Sequence, residues 1–298
     1  MDFFYDNYIL FWVCILGLCF GSFYNVVILR TLTNESIVFP ASKCPKCGNK
    51  LKPWHNIPVL SYIFLRGKCA FCKDKISIQY PLIELITMGL FIYSYIKFGL
   101  EWKTLFVIIV SSALLIMSMT DLKEKIVDCN IAIGLGVVGI LYNWLVNNAF
   151  LDSILGLIAG VVIMEALSAL GYLLKKGRAF GEADTFVIGA LGACFGLIGV
   201  LKVLLYTLVV STLFIIPIFI FKLLKNNNKI VPILLVLFIT VVLVFKTLYQ
   251  NLWMLGLIIV LGLLLVYFIL KNIKTESELT HLPLVPAISL AALYFLFF

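Results

Sequence analysis

Two aspartates lie where long apolar runs begin or end, and carboxylates in such places can do chemistry together. Asp121 directly follows an apolar run, and Asp184 stands in the polar segment GRAFGEADTF (177–186), where another run begins. Two carboxylates within hydrogen-bond distance share a proton, so that one acts as a base on a water molecule while the other polarises a carbonyl group. This chemistry suits hydrolysis of a peptide bond at a membrane surface, and we predict that these aspartates form such a pair.

Each aspartate also has a simpler interpretation. Asp184 could cap the helix that it begins, and Asp121 could be a solvated charge paired with Lys125 four residues later. The neighbouring residues favour a catalytic role, because the small residues Gly181 and Ala183 leave the backbone beside Asp184 accessible to close approach. The neighbours that we predict to support the aspartates or to contact the substrate are Gly181, Glu182, Ala183 and Asp128.

Four cysteines in two CxxC pairs predict a metal site. The pairs are CPKC (44–47) and CAFC (69–72). This spacing is typical of a zinc site in which each pair supplies two thiolates to a tetrahedral ion. Four thiolates leave no position open for a substrate, so we expect a structural Zn²⁺ ion that contributes much of the folding free energy of this short segment. The predicted ligands are Cys44, Cys47, Cys69 and Cys72.

The elements that must position these residues are membrane helices. The chain of 298 residues is 63% hydrophobic and only 13% charged, whereas a soluble domain is about half apolar. About 20 apolar residues cross the hydrocarbon core of a bilayer. We therefore predict an all-α polytopic membrane protein with about 8 to 10 transmembrane helices and a small zinc-binding cytoplasmic loop domain. The apolar runs are 8–29, 81–100, 102–120, 131–146, 151–174, 185–200, 203–221, 230–245, 252–270 and 284–298.

The net charge of +8 indicates topology rather than a nucleic-acid partner, because the basic residues fall in the loops between the apolar runs. The first six residues contain two aspartates and no basic residue, whereas the segment 31–79, here called the cysteine loop, carries eight lysines and arginines. Basic loops stay in the cytoplasm. We therefore expect the N-terminus outside and the cysteine loop inside, which places Asp121 and Asp184 at one depth on the cytoplasmic face.

The order of these motifs resembles the prepilin peptidases, the bifunctional type IV leader peptidase and N-methyltransferase family of aspartyl membrane proteases. GSFYNVVILR (21–30) is similar to that family's GSFxNVxxxR element, and the segment up to YPLIE (80–84) is similar to its cysteine-paired loop. DLKEKIVD (121–128) and GEAD (181–184) resemble the two blocks that carry the catalytic aspartates. LPLVPAISLAAL (282–293) is similar to the family's closing helix.

The resemblance implies two activities and a location in the inner (plasma) membrane of a bacterial cell. Asp121 and Asp184 would cut the basic leader from type IV prepilins or pseudopilins at the cytoplasmic face. The chain would then methylate the new N-terminal residue with S-adenosylmethionine as the methyl donor. The partners implied are these substrates and membrane lipid. The residues associated with methyl transfer are Gly21, Ser22, Asn25, Arg30 and Glu84.

The resemblance also divides the chain into two parts. Residues 1–100 would form the methyltransferase-like part, with the first helix, the cysteine loop and the second helix, and 101–298 the peptidase bundle. Three features depart from the family pattern: Ala183 replaces a glycine of the GxGD block, Val127 stands before Asp128 where the family often has proline, and an extra helical hairpin near 229–270 adds to the usual eight helices.

Two alternative functions stay open. The sequence contains no GxGxxG nucleotide-binding fingerprint, so methyl transfer rests on the resemblance alone, and the chain could be a peptidase only. A transporter or scaffold with a structural zinc loop is the other alternative, but it would place more paired charges inside the helices than the sequence contains. The particular prepilin and the oligomeric state are left open.

Overall fold

The computed structural model describes residues 2–33, 35–39, 42–175, 181–225 and 284–298, and most of these residues lie in apolar helices. Between Pro53 and Asn56 lies one turn of 3₁₀ helix, and the described residues contain no β-strand. The α-helices are α1 (Asp2–Thr33), α2 (Leu60–Phe64), α3 (Gln79–Phe98), α4 (Trp102–Glu124), α5 (Cys129–Leu145), α6 (Phe150–Lys175), α7 (Glu182–Lys225) and α8 (Val285–Phe297).

Five helical segments are long and apolar enough to cross a membrane: Tyr8–Thr33, Gln79–Phe98, Trp102–Glu124, Phe150–Ala169 and Glu182–Ser211. Helices α5 and α8 are apolar but shorter. The prediction of an all-α, multi-pass membrane protein is therefore confirmed. The predicted hairpin near 229–270 lies outside the described residues.

The two apolar runs 185–200 and 203–221 form one helical stretch, contrary to the predicted boundary between them. Helix α7 is instead broken at Gly196, whose φ of 72° lies in the left-handed region that glycine adopts without a steric penalty. The Leu197 N–H freed by the break donates a hydrogen bond of 3.2 Å to Oδ1 of Asp152 in α6. A side chain from the neighbouring helix therefore caps the second half of α7.

The chain divides into two compact units, Met1–Thr207 with Pro283–Phe298, and Leu208–Leu282. All contacts described below lie within the first unit. Its core centres on α4, which packs against α1, α3, α5 and α8. Buried α4 residues, among them Val110, Leu114 and Met117, join side chains of α5, α7 and α8 in one apolar cluster. This packing fixes the end of α4 that carries Asp121.

Glycines bring α1 and α3 into backbone contact. A methyl group added at Gly17 would lie 2.7 Å from the Cα atom of Met88, and one at Gly21 would lie 2.6 Å from the Cα atom of Glu84. Gly17 and Gly21 are four residues apart and so face the same side of the helix, the spacing that allows close helix packing in membranes. The contact places the polar end of α1 against the first turns of α3.

Candidate active site and metal centre

Asp121 lies in the last turn of α4 and is buried, with 6% of its surface exposed. Its Oδ2 atom accepts a hydrogen bond of 3.0 Å from the backbone N–H of Val285, the first residue of α8. The ammonium group of Lys125 interacts electrostatically with the carboxyl group. The simpler interpretation of Asp121 as a solvated charge is therefore wrong, because packing removes most of this side chain from water.

Asp184 lies in the first turn of α7 and is half-buried. Its Oδ2 atom accepts a hydrogen bond of 3.1 Å from the Gly181 N–H, which is the side-chain-to-backbone half of a capping box. Asp184 therefore does cap α7, but capping does not explain why a second carboxyl group, that of Asp121, lies near it. The carboxyl groups of Asp184 and Asp121 lie close enough for their charges to interact, although they come from distant parts of the sequence.

The predicted neighbours of the aspartates occupy different environments. Asp128 caps α5, because its Oδ1 atom accepts a 2.8 Å hydrogen bond from the Asn130 N–H. Glu182 is exposed in the first turn of α7, and Ala183 is half-buried. Next to Asp184, the Thr185 hydroxyl donates to Oε1 of Glu165 over 3.4 Å. Among these residues, Asp128 therefore has a clear structural role in starting a helix.

The four predicted metal ligands form one cluster. The Sγ atoms of Cys44, Cys47, Cys69 and Cys72 all lie within 4.8 Å of one another, and those of Cys44 and Cys72 are 4.0 Å apart. Tetrahedral zinc with Zn–S bonds of about 2.3 Å requires sulfur atoms about 3.8 Å apart. The thiols fit a four-thiolate metal site, and all eight cysteines are free.

The two CxxC turns share one backbone geometry. The residue that follows each second cysteine, Gly48 or Lys73, is left-handed, with a φ of 71° or 60°. An antiparallel bridge flanks each turn. Nζ of Lys46 in the first turn lies 3.2 Å from Oδ2 of Asp74 beside the second, so an ion pair joins the two turns as well.

The thiol groups differ in acidity. Hydrogen bonds with the backbone of Cys72 and Phe71 lower the pKa of Cys69 to about 7. A backbone hydrogen bond at Asp74 favours the Cys72 thiolate, yet burial and the neighbouring sulfur atoms outweigh it and raise the pKa of Cys72 to about 11. One sulfur of the cluster is therefore stabilised as the thiolate, the form that binds a metal ion.

Glu84 joins the cysteine loop to the helices. This buried side chain near the start of α3 accepts a 2.7 Å hydrogen bond from the Val59 N–H through Oε2, and a second one from the Ser22 side chain in α1. Val59 has a φ of 58°, which is unfavourable for a β-branched residue. The carboxyl group thus holds a strained backbone position of the loop against α1 and α3.

Asn25 and Arg30 are buried at the same end of α1. Nδ2 of Asn25 donates to the carbonyl oxygen of Tyr80 over 3.0 Å, whereas Oδ1 is buried without a hydrogen-bond partner. The Arg30 guanidinium donates to the carbonyl oxygens of Ser36 and Ile37 over 2.7 and 2.9 Å. A buried acceptor without a partner is uncommon in proteins, and it fits a site that a polar ligand completes.

The sequence gave no direct indication of two backbone N–H groups that bind the buried carboxyl groups. Val285 and Val59 contribute backbone N–H groups, which every residue except proline carries, so their side chains gave no reason to single them out. The positions around them did give a weak signal. Pro286 lies in the first turn of α8, where proline is well tolerated, and Val59 follows a proline in the NIPVLS segment.

Two known family models match most of residues 15–220. Residues 15–98 match the bacterial peptidase A24 N-terminal domain, and residues 108–220 match the type IV leader peptidase family. A prepilin leader peptidase/N-methyltransferase of Neisseria gonorrhoeae is 35% identical over 219 residues, covering 64% of this chain and 76% of the relative.

Two further relatives carry the same name. The protein of Myxococcus xanthus is 35% identical over 193 residues, which cover 64% of this chain but only 58% of the relative. The protein of Pseudomonas aeruginosa is 31% identical over 222 residues, covering 66% of this chain and 77% of the relative. No solved structure matches the chain.

Proposed function

Because the chain belongs to the type IV leader peptidase family, we propose that it cuts the leader from type IV prepilins or pseudopilins with Asp121 and Asp184. The observation that supports this proposal is the electrostatic interaction between the carboxyl group near the end of α4 and the one near the start of α7. The family is one of aspartic peptidases, and such a reaction needs two carboxyl groups that act together.

In the mechanism that we propose, the two carboxyl groups share one proton. The ionised group removes a proton from a water molecule, and the oxygen of that water attacks the carbonyl carbon of the scissile peptide bond. The protonated group donates a hydrogen bond to the carbonyl oxygen, where negative charge develops. The leaving amine then takes up a proton, and the groups titrate as one unit.

The test is cleavage of a purified prepilin by the Asp121→Asn and Asp184→Asn variants. Loss of a general acid or base lowers the rate by about 10²-fold or more, so we expect both variants to be nearly inactive. Asp152→Asn is the matched control, because Asp152 caps the second half of α7 and asparagine is an equally good cap. Cleavage at the parental rate by either site variant would overturn the assignment.

We further propose that residues 1–100 methylate the new N-terminal residue, while 101–298 form the peptidase bundle. The support is the name that the curated relatives carry and the polar cluster of Ser22, Asn25, Arg30 and Glu84 where α1 packs against α3. S-adenosylmethionine supplies an electrophilic methyl group when it is bound. The unpaired Oδ1 of Asn25 is a candidate acceptor for its polar groups, and Glu84 can hold the amine that receives the methyl group.

Mass spectrometry of the processed pilin tests methyl transfer. With S-adenosylmethionine present we expect the new terminus to gain 14 Da, about the mass of one CH₂ group, and Asn25→Leu to abolish this gain while cleavage continues, because leucine removes the acceptor. Asn147→Leu at the opposite end of the bundle is the control and should methylate normally. An unmethylated terminus from the parent protein with the donor present would leave a peptidase only.

The remaining assignments concern the metal and the membrane. We propose a structural Zn²⁺ ion on the four thiols of the cysteine loop, because their number and spacing suit zinc and leave no open position. We also propose that the chain lies in the bacterial inner membrane with its N-terminus outside, and with the cysteine loop and the aspartates on the cytoplasmic side. The basic residues of the loop support this orientation.

A further inference from the structure

We infer that the first turn of α8 is a positioning element of the peptidase site, in which the Val285 backbone N–H fixes the orientation of the Asp121 carboxyl group. This inference rests on the proposed function, because it assumes that Asp121 takes part in catalysis. It assigns a role to the end of the chain, 164 residues after Asp121.

The contact is direct and excludes water. The Val285 nitrogen lies 3.0 Å from Oδ2 of Asp121, the bond is buried, and Val285 has no exposed surface. The hydrogen bond holds one oxygen of the carboxyl group, and among the described residues no donor to Oδ1 is seen. One oxygen is therefore anchored, and the other remains for water or for the second aspartate.

The start of α8 explains why this N–H is available. The first N–H groups of a helix have no partner within the helix, and Leu284, which precedes α8, provides no side-chain cap. Pro286, the next residue, has no N–H at all. Asp121 thus satisfies an N–H of α8 from another helix, and the positive end of the α8 dipole lies beside the carboxyl group.

A second polar contact, one turn deeper, fixes the register of α8 against α4. Oγ of Ser118 lies 2.7 Å from Oγ of Ser289, and both hydroxyl groups are within hydrogen-bond distance of the Leu114 carbonyl oxygen, at 2.6 and 3.3 Å. Ser118 precedes Asp121 by three residues and Ser289 follows Val285 by four, so both contacts lie along one seam. The seam is buried, and sliding α8 would break both contacts.

A purely structural role would predict a different result from a positioning role. If the bond only stabilises the bundle, its loss lowers the unfolding temperature and leaves the turnover of folded enzyme unchanged. If it orients Asp121, its loss lowers kcat and leaves KM unchanged, because substrate binding does not depend on the orientation of this group. Small errors in the placement of a catalytic group cost up to about 10²-fold in rate.

The experiment replaces Val285 by its α-hydroxy acid, which substitutes an ester oxygen for the N–H and retains the side chain. The same replacement at Leu290, an exposed residue of α8, is the control for loss of an ordinary helical hydrogen bond. We expect kcat for prepilin cleavage to fall about 10-fold or more at Val285, with unchanged KM, and to stay near the parental value for the Leu290 ester.

A kcat at Val285 equal to that of the Leu290 ester would overturn the inference. If the Val285 ester does not fold, Ser289→Ala is the second variant, and it should lower kcat with unchanged KM because the register contact is lost. A parental kcat for that variant would also overturn the inference. The Asp121→Asn and Asp184→Asn variants, assayed alongside, separate the two proposals: cleavage by either would refute the proposed function instead.

Discussion

At the scale of single residues, burial and a backbone donor single out two acidic side chains. Glu84 and Asp121 both have 6% of their surface exposed, and each accepts a hydrogen bond from an N–H group of another segment, that of Val59 or Val285. A buried carboxyl group without such a partner would destabilise the fold. Each therefore ties a distant segment to the helix that carries it.

The bond between Glu84 and Val59 gives a prediction about stability. Glu84→Leu leaves the Val59 N–H unpaired at a strained backbone position, and we expect it to lower the free energy of unfolding by about 1–3 kcal/mol. Glu84→Gln keeps an acceptor oxygen and should cost less. Thermal unfolding and the rate of tryptic cleavage at Arg66 and Lys68 measure the effect, and equal behaviour of the two variants would contradict it.

At the scale of elements, the cysteine loop and the transmembrane helices are held together in different ways. The cysteine loop is organised by two CxxC turns of the same geometry, and its short α2 helix is too small to supply a core. The transmembrane helices instead rely on glycine spacing. Gly156 in α6 lies against Gly192 in α7, so α6 and α7 meet at their backbones, as α1 and α3 do.

The metal site gives a prediction at this scale. Cys44→Ser with Cys69→Ser removes one thiolate from each turn, and we expect the purified protein to lose its zinc and the loop to become sensitive to protease. Cys14→Ser with Cys129→Ser, which changes cysteines outside the cluster, is the control and should keep one zinc per chain. Because protons compete with zinc for thiolates, the metal should also be released as the pH falls. Stoichiometric zinc in the first variant would refute the site.

At the scale of the whole molecule, three acidic side chains of the described residues lie near the ends of helices. Asp121 lies in the last turn of α4, Asp184 lies in the first turn of α7, and Glu84 lies near the start of α3. Placing such groups at helix ends avoids the cost of charges deep in hydrocarbon. The orientation proposed above puts all three at the cytoplasmic face.

Labelling with a membrane-impermeant maleimide tests this orientation. The exposed position Asn148 lies between α5 and α6, and the exposed Glu124 ends α4, so the two lie at opposite ends of α5. In intact spheroplasts we expect Asn148→Cys to react and Glu124→Cys to react only after permeabilisation, because the positive-inside rule places the basic loops in the cytoplasm. The reverse pattern would show that the topology is inverted.

The sequence by itself determined the class of the protein, the four thiols of the cysteine loop and the motifs that indicate the family. These features depend on local composition and spacing: apolar runs of sufficient length form membrane helices, and a CxxC turn brings two sulfurs together wherever it occurs. The polar segment 177–186 likewise marked the start of α7, although the break at Gly196 was not predicted.

Only the tertiary structure decided how these parts meet. The burial of Asp121, the Val285 N–H that contacts it, and the Val59 N–H on Glu84 depend on the packing of helices that are far apart in the sequence. Sequence patterns could not reveal them, because backbone N–H groups are the same at almost every residue. Which of them faces a carboxyl group is set by helix register, which the complete bundle fixes through contacts such as that between Ser118 and Ser289.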